Sequence, residues 1–192
     1  MPDAQPTPGT PPPPSARAWR WKVVGLVIVA VGIVADLWTK DFMQGLLGMS
    51  PEQPHGSERQ HEVIDGILRF AGNWNAGVTF GMAAGLTQPI LLFTMVASLG
   101  IGTWLLVTRN QSRVLHVALA LILAGAVGNL YDRWRWKMVR DFIVVYWKDP
   151  AIWQWPAFNV ADSMIVVGVS LILWLELFGR HGDARPAPGR AS

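Results

Sequence analysis

Residues 114–133 read VLHVALALILAGAVGNLYDR, and this stretch decides the architecture. From Val114 to Tyr131 it carries no formal charge if His116 is neutral. As a helix, eighteen such residues reach about 27 Å, close to the hydrocarbon thickness of a bilayer. The run then closes on Asn129, Asp132 and Arg133. Asn129 and Asp132 are three apart, so on a helix they project from one face.

Working outward, Arg109–Arg113 is a short polar connector, and before it Pro89–Val107 is a second span that starts at Thr87-Gln88-Pro89 with proline in the first turn. Upstream, Arg17, Arg20 and Lys22 precede a first span over about 23–38, broken only by Asp36, which closes it. Basic residues before the uncharged run ending Ile33-Val34-Ala35 also suit a secretory signal cleaved just before Asp36, an alternative that composition leaves open. Downstream, a fourth span covers about 160–178, opened by Asn159 and Asp162, again three apart. Residues 1–18, rich in proline, are expected to be a disordered tail, and 181–192 a second polar tail. The fold expected is therefore all-α and integral to a membrane: four transmembrane helices with a small strand-rich extracytoplasmic element between helices 1 and 2, signalled by short alternating stretches such as Val63–Phe70.

Four spans place the loops 39–88 and 132–159 on the same side of the membrane, and every notable polar group maps there. Asp36 and Lys40, Asn75, Asn129 with Asp132, Asp141, and Asn159 with Asp162 all fall at or beyond that membrane face. The apolar segment Phe142–Trp147 is too short to cross, so Asp141 and Asp162 stay on one side and can meet. Ionisable groups near lipid are costly unless paired or facing a wet cavity, which makes a shared polar pocket the expectation. Lys and Arg divide eight to eight between the two sides. The basic residues ahead of the first span therefore decide orientation, with both termini cytoplasmic and the pocket extracytoplasmic.

Composition excludes several chemistries. The chain is 51% hydrophobic and 15% charged, with a net charge of only +3 spread among apolar runs, which argues against nucleic-acid binding. It has no cysteine, so thiol catalysis and disulfides are absent, and its four histidines are too dispersed for a metal site; no metal and no cofactor are expected. Serine elbows and phosphate-cradling glycine motifs are missing. Carboxylate chemistry remains. Eleven tryptophans fit side chains anchored at membrane interfaces.

Five blocks in order then resemble the lipoprotein signal peptidase (signal peptidase II) family, over about 36–165. They are Asp36-Leu37-Trp38-Thr39-Lys40, Asn75-Ala76-Gly77-Val78-Thr79-Phe80-Gly81, Gly125–Arg133, Val139-Arg140-Asp141-Phe142 and Phe158-Asn159-Val160-Ala161-Asp162-Ser163. The resemblance implies an aspartic endopeptidase that cuts diacylglyceryl-modified prolipoproteins just before the lipidated cysteine. It would sit in the bacterial inner membrane among lipids and act as a monomer. It assigns the catalytic pair to Asp141 and Asp162, and puts Asp36, Lys40, Asn75, Gly77, Asn129, Asp132, Arg133 and Asn159 at positions that line or support the site, with Asp132 paired to Arg133. It also retains the first span, because Asp36 belongs to a matched block. The stretch between Lys40 and Asn75 is longer than usual, the proline-rich start lies outside the family pattern, and Thr79 replaces a smaller residue. The rival readings are a four-helix transporter with acidic relays and a catalytically silent scaffold. The transporter lacks acidic stepping stones in the second and third spans.

Overall fold

The computed structural model describes residues 16–53, 55–77, 87–109 and 112–178. In chain order these form α1 (Ala16–Leu47), β1 (His55–Ile64), β2 (Leu68–Asn75), α2 (Thr87–Val107), α3 (Arg113–Trp136), β3 (Val139–Val145) and α4 (Val160–Phe178). All four helices are long and apolar enough to cross a membrane. α2 and α4 lie where spans were expected at about 89–107 and 160–178. Most of the first tail and all of 181–192 fall outside the described residues, but residues 16–18, assigned to the tail, are helical.

α3 is the axis of the bundle. Just over half of its most apolar window (56%) is buried, against 11–17% for the other three helices, whose outer faces expose Val27, Val31, Phe93, Leu99, Val166 and Leu177. Glycine makes the packing against α4 possible. A Cβ on Gly125 would collide with the Ala161 carbonyl oxygen, and one on Gly168 would come within 2.8 Å of the Ala118 carbonyl oxygen. Without a hydrophobic driving force between helices in lipid, such close backbone approach is what holds them. Ser112 caps α3, its side chain accepting from the Leu115 N–H at 3.3 Å, and Lys137 closes the helix at φ 63° with its N–H on the Arg133 carbonyl.

Two helices outrun their expected ends. α1 continues to Leu47 and, at 32 residues, is about 48 Å long, so its last turns stand clear of a hydrocarbon layer about 30 Å thick. Asp36 therefore lies inside the helix rather than closing it. α3 runs on to Trp136, carrying Asp132 and Arg133 within its last two turns. Beyond this end of the bundle sits an antiparallel sheet in the order β1-β2-β3. Its hairpin turns at Asp65–Ile67 around Gly66 (φ 72°), in the middle of the stretch whose alternation suggested strands. The third strand comes from the loop between α3 and α4. Val139 pairs with Asn75, Arg140 with Trp74 and Asp141 with Asn73, so the two loops are stitched into one element. Leu47, at the top of α1, and Met49, just beyond it, pack on Trp74 and Phe142 beneath the sheet.

Candidate active site

Asn159 is the N-cap of α4 and Asp162 stands three residues later, and the two form a reciprocal cap. The Asp162 N–H donates to Asn159 Oδ1 (3.0 Å), and the Asn159 N–H donates to Asp162 Oδ2 (3.2 Å). The helix start thus fixes one carboxylate by local sequence alone. A second carboxylate reaches the same helix end from α1, where Asp36 Oδ1 accepts from the Ala161 N–H at 2.9 Å, satisfying a first-turn donor. Gly128 permits this approach, since a Cβ there would strike the Asp36 carboxylate.

Asp141 comes from β3. Its Oδ1 accepts from Asn159 Nδ2 at 2.7 Å and its Oδ2 from Asn75 Nδ2 at 3.0 Å. Asn75 is aimed by its own turn, because its Oδ1 accepts the Gly77 N–H (3.1 Å), which leaves the amide donor pointing at Asp141. Asn129 ties the two acids together. Its Nδ2 donates to Asp162 Oδ1 (2.8 Å), while its Oδ1 accepts from Lys40 Nζ (2.9 Å) and Asn159 Nδ2 (3.1 Å). Lys40, with no exposed surface, pairs with Asp36 at 2.7 Å and lies 3.5 Å from Asp132. A cation at Oδ1 allows only one orientation of the Asn129 amide, the one that presents a donor to Asp162.

Asp141 and Asp162 line one cavity of about 610 Å³, together with Asn75, Gly77, Arg133, Trp155 and, on the α4 wall, Ile165 and Val166. Burial first, then the neighbouring Asp162 charge, push the Asp141 carboxyl from 3.8 up to about 8, against the opposing pull of Asn75, Lys40 and Asn159. The pocket accordingly favours one proton between its two acids near neutral pH.

The structure brings all ten expected residues together at this end of the bundle. It changes one partnership. Asp132 pairs not with Arg133 but with Arg140, whose Nε and Nη2 donate to the two carboxylate oxygens at 3.3 and 2.8 Å, while the Arg140 N–H donates as well at 3.0 Å. Arg140 is 1% exposed and also holds Asp41 (2.5 Å) and Gln44 (2.9 Å) of α1. Arg133, half-buried, turns into the cavity instead. Arg140, Asp41 and Gln44 were given no role from the sequence. The strand alternation that sends Arg140 and Asp141 to opposite faces would have been the signal, but nothing in the sequence marked 139–145 as a strand. Among the described residues no cluster of His, Asp and Glu forms a metal site; His116 is buried in α3, its Nδ1 2.8 Å from the Ser112 carbonyl oxygen.

The arrangement can be set beside known proteins. A family model described as signal peptidase (SPase) II matches residues 28–178. The lipoprotein signal peptidase of Teredinibacter turnerae is 35% identical over 176 residues, covering 88% of this chain and 95% of its own. That of Pseudomonas aeruginosa is 33% identical over 175 residues, covering 89% and 94%. Two solved bacterial membrane enzymes share the fold. One has a TM-score of 0.70 at 23% identity over 87% of this chain and 94% of its own; the other has 0.66 at 25%, over 81% and 93%.

Proposed function

The chain belongs to the signal peptidase II family, and from that premise we propose that it is an aspartic endopeptidase of the bacterial inner membrane. Its substrates are diacylglyceryl-modified prolipoproteins, cut just before the lipidated lipobox cysteine. One observation carries the aspartic mechanism: two carboxylates from different elements line one cavity and are joined through Asn129 and Asn159.

Burial favours a proton on Asp141, which leaves Asp162 to act as base. Asp162 takes a proton from water as that water's oxygen bonds to the scissile carbonyl carbon. Asp141 donates its proton to the carbonyl oxygen, giving a neutral tetrahedral diol. Collapse of the diol breaks the C–N bond, with Asp162 returning its proton to the departing amine and Asp141 recovering one from the diol hydroxyl. No covalent enzyme intermediate forms. Arg133, turned into the cavity, supplies donors for substrate carbonyl groups flanking the cut. The apolar wall of Ile165 and Val166 on α4 faces acyl chains and a signal helix that arrive by lateral diffusion. With Arg17, Arg20 and Lys22 in the first two turns of α1, ahead of its apolar run, the termini lie in the cytoplasm and the sheet with the cavity outside.

Purified protein incubated with a diacylated lipobox peptide releases the signal peptide. Asp141→Asn and Asp162→Asn each reduce the rate by about 10²–10⁴-fold or more, with yield and helical content unchanged. Retained activity in either variant refutes the dyad.

A further inference from the structure

Between β3 and α4 the chain doubles back. Tyr146 pairs with Gln154, the Trp147 N–H donates to the Trp153 carbonyl (3.3 Å), and the Trp155 N–H donates to the Val145 carbonyl (2.7 Å). Side chains alternate across an antiparallel pair, so Val145, Trp147, Trp153 and Trp155 share one face while Tyr146 and Gln154 take the other. Counting back along β3 by twos from Trp147 reaches Val145, Ile143 and Asp141. The face that carries the catalytic carboxylate therefore also carries the three tryptophans.

The two faces differ in chemistry and in surroundings. On the Tyr146 side, the tyrosine hydroxyl donates to Glu62 (2.5 Å), Arg69 lies over its ring at 5.4 Å, and Arg69 donates to Gln60 and Gln154. Further along the same side, Arg140 and Phe142 are held by the upper end of α1 through Asp41, Gln44, Leu47 and Met49. On the other side, Trp147, Trp153 and Trp155 are 60%, 49% and 57% exposed, with Ile152 at the turn 81% exposed. An apolar patch of this kind in contact with water alone is costly at about 25 cal/mol per Å². Its direction is set by the cavity: Trp155 shares that cavity with Ile165 and Val166, which lie in the first two turns of spanning helix α4. The tryptophan face thus overhangs the lipid flanking α4, while the polar face is turned away from it.

We propose that the Trp147–Trp153–Trp155 face rests in the headgroup layer of the bilayer beside α4, where an indole has an apolar body to bury and an N–H to keep wet. Because Asp141 belongs to the sheet and Asp162 to a spanning helix, this contact adds to the Asn129 and Asn159 bridges that hold the two acids together.

The chain has no cysteine, so a single introduced cysteine can be labelled uniquely. Trp153→Cys and Gln154→Cys, each carrying a nitroxide, are reconstituted into phosphatidylcholine–phosphatidylglycerol vesicles without substrate, and collisions with oxygen and with a water-soluble nickel chelate are compared. The label at 153 should meet oxygen in preference and encounter the nickel compound about tenfold less than the label at 154. Trp147→Cys, on the same face, should repeat the pattern, which guards against a local distortion in either variant. Equal nickel access at 153 and 154 overturns the proposal. So does protection of 153 that appears only with a lipobox peptide added, which makes the face a substrate surface. Dipolar broadening at 153 that vanishes on dilution with unlabelled protein, the mark of a second copy, overturns it as well. None of these readouts depends on catalysis, so their failure is distinct from failure of the protease reading.

Discussion

Three side-chain amides, Asn75, Asn129 and Asn159, and two buried cations, Lys40 and Arg140, surround the acids of the site, and the unequal burial of its charged groups makes distinct predictions. Asp141 ionises at about 8 in the fold against an ordinary 3.8. Between those values the native protein keeps a proton that the unfolded chain has lost, so stability falls as pH rises from about 4 to about 8 and levels off beyond. Thermal unfolding in detergent should follow this slope in the wild type and flatten in Asp141→Asn. Activity should fall about tenfold per pH unit above pH 8, as the acid is lost. Around Arg140 the two carboxylates differ sharply: Asp132 is fully buried, whereas Asp41 is 74% exposed. Asp132→Ala strands a buried guanidinium and should cost about 3–5 kcal/mol; Asp41→Ala breaks a solvent-screened pair and should cost under about 1 kcal/mol. Chemical denaturation of the two variants measures both. Comparable losses would mean that Arg140 depends on Asp41 as much as on Asp132. The residues proposed as catalytic and supporting stood out because they lie in short motifs that resemble the family's, whereas the partner of Asp132 did not. Arg133 is adjacent in sequence, but on α3 its side chain departs about 100° around the helix from Asp132, while β3 returns Arg140 to it.

Among the elements, the bundle depends on where a Cβ is missing. Gly125→Ala would drive a methyl into the Ala161 backbone, beside Asp162, and α3 and α4 would have to separate. A loss of about 1–3 kcal/mol is expected, together with slowed cleavage. Gly45 in α1 has nothing within 4 Å of an added Cβ, so Gly45→Ala should stabilise by about 0.5–1 kcal/mol through helix propensity alone. Melting temperatures of the two variants, moving in opposite directions, test this. Helices α2 and α4 could be delimited from the chain because Pro89 and Asn159 mark their starts and apolar composition carries them through. β3 could not. There the sequence offers only Phe142–Trp147, a short apolar run bounded by Asp141 and Lys148, and periodicity does not separate a buried strand from a truncated span; only the pairing with β2 makes it a strand. The overrun of α1 to Leu47 has the same origin, since its polar last turns are helical because the sheet packs on them.

For the whole molecule, the absence of cysteine makes sidedness directly measurable. Gln53→Cys, beside the sheet, should react with an impermeant maleimide added to intact cells, and Arg109→Cys, at the opposite end between α2 and α3, only after permeabilisation. The reverse pattern would turn the protein over and place the cavity in the cytoplasm. Four spans and the placing of both polar loops on one side were readable from the sequence, because span length and local motif spacing are one-dimensional properties that a bilayer and a helix read directly, while Asp141 and Asp162 were singled out as the proposed acids by resemblance to the family. The tertiary structure alone decided that two loops share one sheet, that Arg140 rather than Arg133 neutralises Asp132, and that the tryptophans of 147–155 look the same way as Asp141. Those facts depend on strand register and on contacts between residues up to about a hundred positions apart, and chain-distant pairing is fixed only when the packed fold brings the partners together.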